Sequence, residues 1–449
     1  MVIGSIIGTG VFFKSAIMAQ ELGSPRLVLL AWLAAGLLAL AGALSYAELG
    51  GMLPHAGGDY VYLRTAYGDA TSFLYGWMRF VVASAGSSAL AVGFVTFLGS
   101  LVPLGHAWAT TTLHPFGSEF RWEFGLREVI AVALILLLGG INCVGVAMGG
   151  RVQTALTAGK ILGILIIVGG AFFFAKGGSA VNFQAPAGAA HWSGIQAFGA
   201  AMIAALWACD GWAFMPMVSS EVKNPERNVP RALIIGMLAV VTLYGLANLA
   251  YFYALPFNEV ATANSTRFRD AAPLAAKAAQ TFLGARGTAI VTALFMISAA
   301  GALNGVLLGT SRVPFAMARD GLFFKRFGEL GRKSRVPVWS LIALSIWSSV
   351  LAVSGTYDQL TNLVVFGEWI FYLLVAAAVI VLRRKMPDAA RPYRTLGYPV
   401  VPLIFVAVAV WLILNTLWTN SLEALTGCVL IAAGLPFYFH FRHRARQSS

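Results

Sequence analysis

Gly4-Ser5-Ile6-Ile7-Gly8-Thr9-Gly10-Val11-Phe12 lies at the start of the chain. The stretch is apolar enough to lie in a membrane, yet three of its nine residues are glycine. A glycine inside a helix costs about 1 kcal/mol relative to alanine. A hydrophobic segment that accepts this repeatedly is expected to unwind. Bare backbone at membrane depth is tolerated only where it lines a cavity or is buried in protein. The reading is therefore a broken transmembrane helix, with free N–H groups and a helix N-terminus able to face an anion.

Composition agrees. Of the 449 residues, 59% are hydrophobic and 11% charged, and the mean hydropathy is +0.78. Soluble domains carry about 25% charged residues, so the class is a polytopic helical membrane protein embedded in a lipid bilayer. The net charge of +13 could suggest nucleic acid, but the arginines sit between apolar runs, and membrane topology explains them better. Cys143, Cys209 and Cys428 all lie in apolar segments and imply no disulfide framework. No cleavable signal peptide is expected, because the first segment belongs to the fold.

A span needs about 20 apolar residues. Twelve fit, at 1–18, 27–53, 70–103, 127–147, 152–175, 195–219, 231–255, 286–311, 337–355, 360–382, 399–418 and 422–441. With the N-terminus inside, most lysines and arginines, such as Arg227, Arg319, Arg332, Arg383 and Arg442, fall in cytoplasmic segments. Lys14, Arg26, Arg127, Lys176, Arg267 and Arg269 are among the fewer outside. This bias puts both termini in the cytoplasm, in a cell membrane. Segments 104–126 and 256–285 form the longer outer connections. The inner segment 54–68, with Tyr60, Tyr62 and Tyr67, reads equally as an amphipathic surface helix or a polar loop.

A second break lies in span six, Leu206-Trp207-Ala208-Cys209-Asp210-Gly211-Trp212. A charged Asp in mid-membrane costs about 3 kcal/mol on insertion scales. Broken helices five spans apart are what an inverted five-plus-five repeat predicts.

These residues carry a family resemblance. Gly4 to Phe12 resembles the first-helix signature of the amino acid–polyamine–organocation superfamily. Trp207 to Trp212 and the run Glu221-Val222-Lys223-Asn224-Pro225-Glu226 through Arg231 resemble its L-type amino acid transporter branch. So do Ser311-Arg312-Val313-Pro314-Phe315 through Gly321, Arg391-Pro392-Tyr393-Arg394 and Gly434-Leu435-Pro436-Phe437-Tyr438. The resemblance covers nearly the whole chain. It implies an all-α, sodium-symporter-like fold with broken helices one and six. Repeat one would occupy 1–175, repeat two 195–382, and two appended helices 399–441. It also implies alternating access at a midplane site. Thr9 and Gly10 would offer N–H groups to a substrate carboxylate. The carbonyls of Ile6, Trp207, Ala208 and Asp210 would take its ammonium, with Gly8, Gly211 and Trp212 completing the substrate-binding set. A zwitterion suits positive helix ends facing orphan carbonyls.

Three departures from the family pattern stand out. Met1 is only three residues before Gly4, so a first helix truncated at its inner half is expected. Ala213 stands where the branch often has Asn. No Cys lies in 104–126, where animal members bond a glycoprotein, so a bacterial member without that disulfide-linked partner is expected.

Simpler readings compete. Glycines in spans one and six could be packing residues. Trp207 and Trp212 could simply pack. Asp210 could bond a neighbouring helix, or it could read a cationic substrate. Glu48 and Glu221 suit structural or gate roles at inner helix ends. Arg79 could snorkel or pair, Glu368 could cap or line the cavity, and His191 suits a solvated loop. No catalytic constellation, metal site or cofactor motif is present. His-Glu-x-x-His and Gly-x-Ser-x-Gly are absent, as is the potassium-filter motif. The expected function is therefore transport of amino acids, neutral ones first, by a sodium-independent exchanger or proton-coupled carrier. A cationic amino acid or polyamine antiporter is the alternative.

A bulky residue at Gly10 is expected to abolish binding and leave folding intact. Lys160 lies mid-way along span five, about eight residues or ~12 Å from the inner end. Its ammonium needs acceptors, and the orphan carbonyls of the first helix are the obvious ones. The resemblance suggests that Lys160 replaces the sodium ion of sodium-coupled relatives, and that its protonation couples substrate to protons.

Overall fold

The computed structural model describes every residue except 1, 56, 114–119, 145, 185–193, 220–221, 266, 269–270 and 448–449. Glu221, His191 and Arg269, read above, lie outside the described residues.

The first span is broken where its glycines cluster. Helix α1 (Val2–Ile6) stops, residues 7–9 are unwound, and α2 (Gly10–Leu22) begins. Gly23, at φ 62°, ends α2 with its N–H on the Ala19 carbonyl, a left-handed cap that glycine adopts without strain. Helix α3 (Pro25–Met52) starts with Pro at its first turn, where no N–H is needed. Helix α4 (Asp59–Tyr67) occupies the segment whose sequence suits surface helix and loop equally. It is a helix, but Asp59, Tyr60, Tyr62 and Leu63 are buried, so it is wedged into the protein.

Helices α5 (Asp69–Val81) and α6 (Ser84–Gly99) together make one span, interrupted at 82–83. Strands β1 (Ala109–Leu113) and β2 (Phe120–Phe124) then pair antiparallel, with Ala109 opposite Phe124 and Thr111 opposite Trp122. Trp122 Nε1 donates to the Val353 carbonyl at 2.8 Å and pins this hairpin to the bundle. Next come α7 (Leu126–Val144) and α8 (Val146–Phe174).

The second break separates α9 (Gly194–Cys209) from the four-residue α10 (Phe214–Met217). Helix α11 (Pro225–Ala254) follows, then α12 (Phe257–Ala261) and α13 (Leu274–Thr310), which bends at Gly284. The expected outer connection 256–285 thus contains helix. Helix α14 (Arg312–Arg319) leads to α15 (Val338–Ser354) and α16 (Tyr357–Lys385). Thr356 and Gln359 form a capping box at the start of α16, and Arg383, Arg384 and Lys385 meet the negative end of its dipole. The chain closes with α17 (Val400–Thr419), α18 (Ser421–Ala432) and α19 (Gly434–Gln447).

Among the described residues, ten helical segments are long and apolar enough to cross a membrane. Helix α15 has 17 residues and is apolar. With the interrupted first helix, these account for the twelve expected spans. Leucines and isoleucines such as Leu33, Leu137, Ile235 and Leu414 are exposed on the outside of the bundle. That is the lipid-facing surface of a multi-pass membrane protein, where apolar exposure costs nothing.

Two charges read as interfacial are buried. Lys14 does not sit in an outer segment. It is 1% exposed within α2 and pairs with Asp358 at 3.0 Å and Thr361 at 2.6 Å. Glu48, also 1% exposed, accepts from Arg383 Nε at 2.8 Å, Arg383 Nη2 at 2.7 Å and the Thr395 N–H at 2.7 Å. It ties α3 to the chain after α16. Breaking a buried, bidentate pair leaves an uncompensated charge, so Glu48→Ala is expected to cost about 3 kcal/mol. Thermal unfolding in detergent would show this as a lowered midpoint, and an unchanged midpoint would refute the assignment.

Candidate functional site

The two helix breaks lie against each other. Ser5 Oγ donates to the Gly211 carbonyl at 3.0 Å. A Cβ on Gly10 would come within 2.5 Å of Ala208 Cβ, and one on Gly211 within 2.7 Å of the Ser5 carbonyl oxygen. Gly211 also has φ +113°, a conformation side chains rarely allow. Helices α2 and α9 touch because these residues have no side chains. This revises the expectation for Gly10: its bareness is needed for packing, so a bulky residue there disturbs the fold itself.

Beside the breaks is a cavity with an empty volume of about 470 Å³. Ile6, Gly8, Thr9, Gly10, Trp207, Ala208, Asp210 and Gly211 all line it. Trp212 does not. It is 2% exposed and packs edge-on to Tyr46 at 4.5 Å and against Tyr372 at 5.0 Å, so the structure gives it a packing position. The N-terminus of α2 brings its first N–H groups, which have no intrahelical acceptor, to the cavity wall.

Several backbone acceptors here are already engaged. The Tyr244 hydroxyl lies 3.2 Å from the Ile6 carbonyl oxygen and 3.0 Å from that of Ala208, stitching the two breaks to α11. Each carbonyl keeps a second lone pair. Lys160 Nζ, 3% exposed, donates to the Gly4 carbonyl at 3.0 Å and the Ile7 carbonyl at 2.8 Å. An ammonium therefore fills the gap that unwinding leaves in the first helix.

Asp210 Oδ1 accepts from the Tyr372 hydroxyl at 2.8 Å. That hydroxyl also lies 3.3 Å from Glu368, which pairs with the buried Arg79. Arg79 thus pairs and does not snorkel, and Glu368 both pairs and lines the cavity. Toward the hairpin end, the Tyr357 hydroxyl bonds Thr9 Oγ1 at 2.9 Å and accepts from Trp207 Nε1 at 3.0 Å. Tyr357 lines a second pocket, with Phe13, Trp122 and Asp358, and its hydroxyl joins that pocket's wall to Thr9 and Trp207 of the first.

Sequence reasoning passed over Tyr244 and Tyr357. Each acts through a hydroxyl on a distant helix, and nothing in the neighbouring sequence marks it. Among the described residues no group of three or more His, Cys, Asp or Glu could hold a metal.

Comparison with known proteins decides the class. Residues 1–434 match the amino acid permease family model. The chain belongs to the amino acid permease family. It is 32% identical over 447 residues to the serine/threonine exchanger SteT of Bacillus subtilis (strain 168), covering 99% of this chain and 95% of that one. It is 31% identical over 460 residues to the large neutral amino acids transporter small subunit 2 of Mus musculus, covering 99% and 80%. It is 29% identical over 452 residues to the b(0,+)-type amino acid transporter 1 of Homo sapiens, covering 99% and 86%. This permease is a transporter of amino acids across a membrane and not an enzyme.

Proposed function

We propose that the permease moves neutral L-amino acids by alternating access, as a sodium-independent exchanger or proton-coupled carrier. The observation that carries this is the meeting of two helix breaks at one small cavity. There, the α2 N-terminus suits a carboxylate, and the wall around Ile6, Trp207, Ala208 and Asp210 suits an ammonium. The Lys160 ammonium on the broken first helix supports independence from sodium. The activities for which the serine/threonine exchanger and the large neutral amino acids transporter are named support neutral substrates, and the former supports exchange.

Within this reading, 1–175 and 195–382 are inverted repeats and 399–441 is appended. Both termini are cytoplasmic in a cell membrane. No Cys lies in 104–126, which supports function without a disulfide-linked glycoprotein. A thermal-shift panel on the purified chain tests the substrate class. A ligand at about a hundred times its Kd stabilises by about 2.7 kcal/mol. Alanine, serine and threonine should raise the midpoint. A rise with arginine or polyamines alone would overturn the neutral reading.

Asp210 distinguishes the alternative. Its Oδ1 is held by Tyr372, so its charge is proposed to matter little to a neutral substrate. Asp210→Asn is expected to keep alanine uptake within about fivefold of wild type, since one hydrogen bond is worth about 1 kcal/mol. Selective loss of arginine uptake would instead support the cationic antiporter.

A further inference from the structure

Beneath the cavity lies a buried charged layer that the transport reading does not use. Asp59, at the start of α4, is 0% exposed. Its Oδ2 accepts from the Tyr46 hydroxyl of α3 at 2.8 Å, while its Oδ1 has no hydrogen-bond partner. Tyr75 and Arg79 face it from α5, and Tyr372 faces it from α16. The Tyr75 hydroxyl and Arg79 Nε are also buried without partners. On its own helix, the Tyr62 hydroxyl is likewise unpartnered, and Tyr60 and Arg64 are committed to Asp320. Arg79 is already paired to Glu368 and sits in the field of Asp210. One guanidinium therefore serves three buried carboxyls, Asp59, Asp210 and Glu368. The carboxyl with an orphaned oxygen and no direct cation is Asp59. The Tyr75 hydroxyl can serve either form, donating to a carboxylate or accepting from a carboxylic acid, so it is the complete burial of Asp59 without a direct cation that penalises the ionised form.

The segment Asp59 belongs to is docked on the helix that follows the second break. The Gly57 N–H donates to the Met217 carbonyl at 3.2 Å, and Ser219 Oγ donates to the His55 carbonyl at 3.1 Å. A Cβ on Gly58 would lie 2.9 Å from the Met217 nitrogen. A charge appearing on Asp59 therefore acts immediately beside the contact that Gly57 and Gly58 make with Met217 at the end of α10.

We propose that Asp59 is a proton-binding site, and that its proton holds residues 57–59 against the end of α10 as a pH-sensitive latch on that end of the permease. Burial raises the Asp59 carboxyl from 3.8 to about 6, against the opposing pull of Arg79 and of the Tyr46 and Tyr75 hydroxyls. An acid whose proton affinity is raised in the docked state binds its proton there more tightly, so by linkage the proton favours docking. The stabilisation is fully present below the undocked value of 3.8, weakens above it and is lost as pH rises through about 6. Lowering the pH from about 7 to about 5 should strengthen docking about tenfold.

The latch role rests on the transport reading, whereas proton binding does not. The test is therefore in two parts, on the full chain in liposomes. In pH-difference infrared spectroscopy, wild type should show a protonated-carboxyl band that titrates near pH 6. Asp59→Asn should lose it. Tyr46→Phe removes a bond to the charged form and should shift the titration upward by about half a unit or more. No titrating band in wild type, or the same band in Asp59→Asn, overturns the proton site. The second part measures alanine exchange as the pH on the α4 side is varied. The wild-type rate should change severalfold across this range and the Asp59→Asn rate should stay level. A titrating band with equal exchange profiles in both proteins overturns the latch.

Discussion

Lys160→Ala is expected to lower amino acid exchange in proteoliposomes by about a hundredfold or more. The Lys160 ammonium donates to the carbonyls of Gly4 and Ile7, on either side of the point where α1 ends. Removing it takes a charged donor away from two carbonyls at the break, at about 1.5–3 kcal/mol each. Water cannot replace the ammonium cheaply at a position only 3% exposed. The unwound segment 7–9 would then have to rewind or shift, and the cavity wall formed by Gly8, Thr9 and Gly10 would move with it. A loss of about 3 kcal/mol in a required geometry is about a hundredfold in rate. Full exchange by Lys160→Ala would sink this account of the lysine. Failure of a pH gradient to drive uptake by the wild type would leave the structural role standing and favour pure exchange.

Gly211→Ala should prevent recovery of folded protein, while Gly8→Ala should fold and bind substrate poorly. At Gly211 an added Cβ meets the Ser5 carbonyl oxygen at 2.7 Å and its carbon at 2.9 Å. These are backbone atoms and cannot rotate away. The φ of +113° adds strain of about 1–3 kcal/mol, and overpacking adds about the same again. Together these approach the low end of a protein's total stability of about 5–15 kcal/mol. Gly10→Ala faces a similar clash with Ala208. At Gly8 the nearest atom is the flexible Leu90 Cδ2 at 3.2 Å, and the new methyl points toward the cavity. Size-exclusion profiles in detergent measure the first effect, and ligand-induced thermal shifts the second. A well-folded Gly211→Ala would contradict the packing of the two breaks. Unchanged ligand shifts in Gly8→Ala would contradict the cavity as the substrate site.

The breaks themselves were legible because clustered glycine weakens an apolar helix, and in a membrane that weakness is tolerated only at a protected site. Gly8, Gly10 and Gly211 mark them without any tertiary information. The bonds from Lys160 of α8 to the first helix were also legible, since a buried ammonium must find acceptors and an unwound helix offers them. Long-range hydroxyl contacts were not. Tyr244 bonds Ile6, 238 residues away, and Tyr357 bonds Thr9 across 348 residues. Local sequence gives a buried tyrosine no address. Trp212 shows the converse. It lies one residue beyond Gly211 and is turned into an aromatic cluster with Tyr46 and Tyr372, a direction that only the backbone after the break sets. The strand pair Ala109–Leu113 and Phe120–Phe124 escaped a reading based on apolar runs because it is not one, and the same reading left α4 open between helix and loop. Lys14 was misread as a boundary charge because its partner, Asp358, is 344 residues away.

The most direct measurement is counterflow of radiolabelled alanine in proteoliposomes of the purified permease, with sodium omitted from both sides. The account predicts rapid, saturable accumulation when unlabelled serine or threonine is inside, competed by neutral amino acids and lost in Lys160→Ala. Accumulation that requires sodium, or none with any neutral amino acid inside, would contradict it.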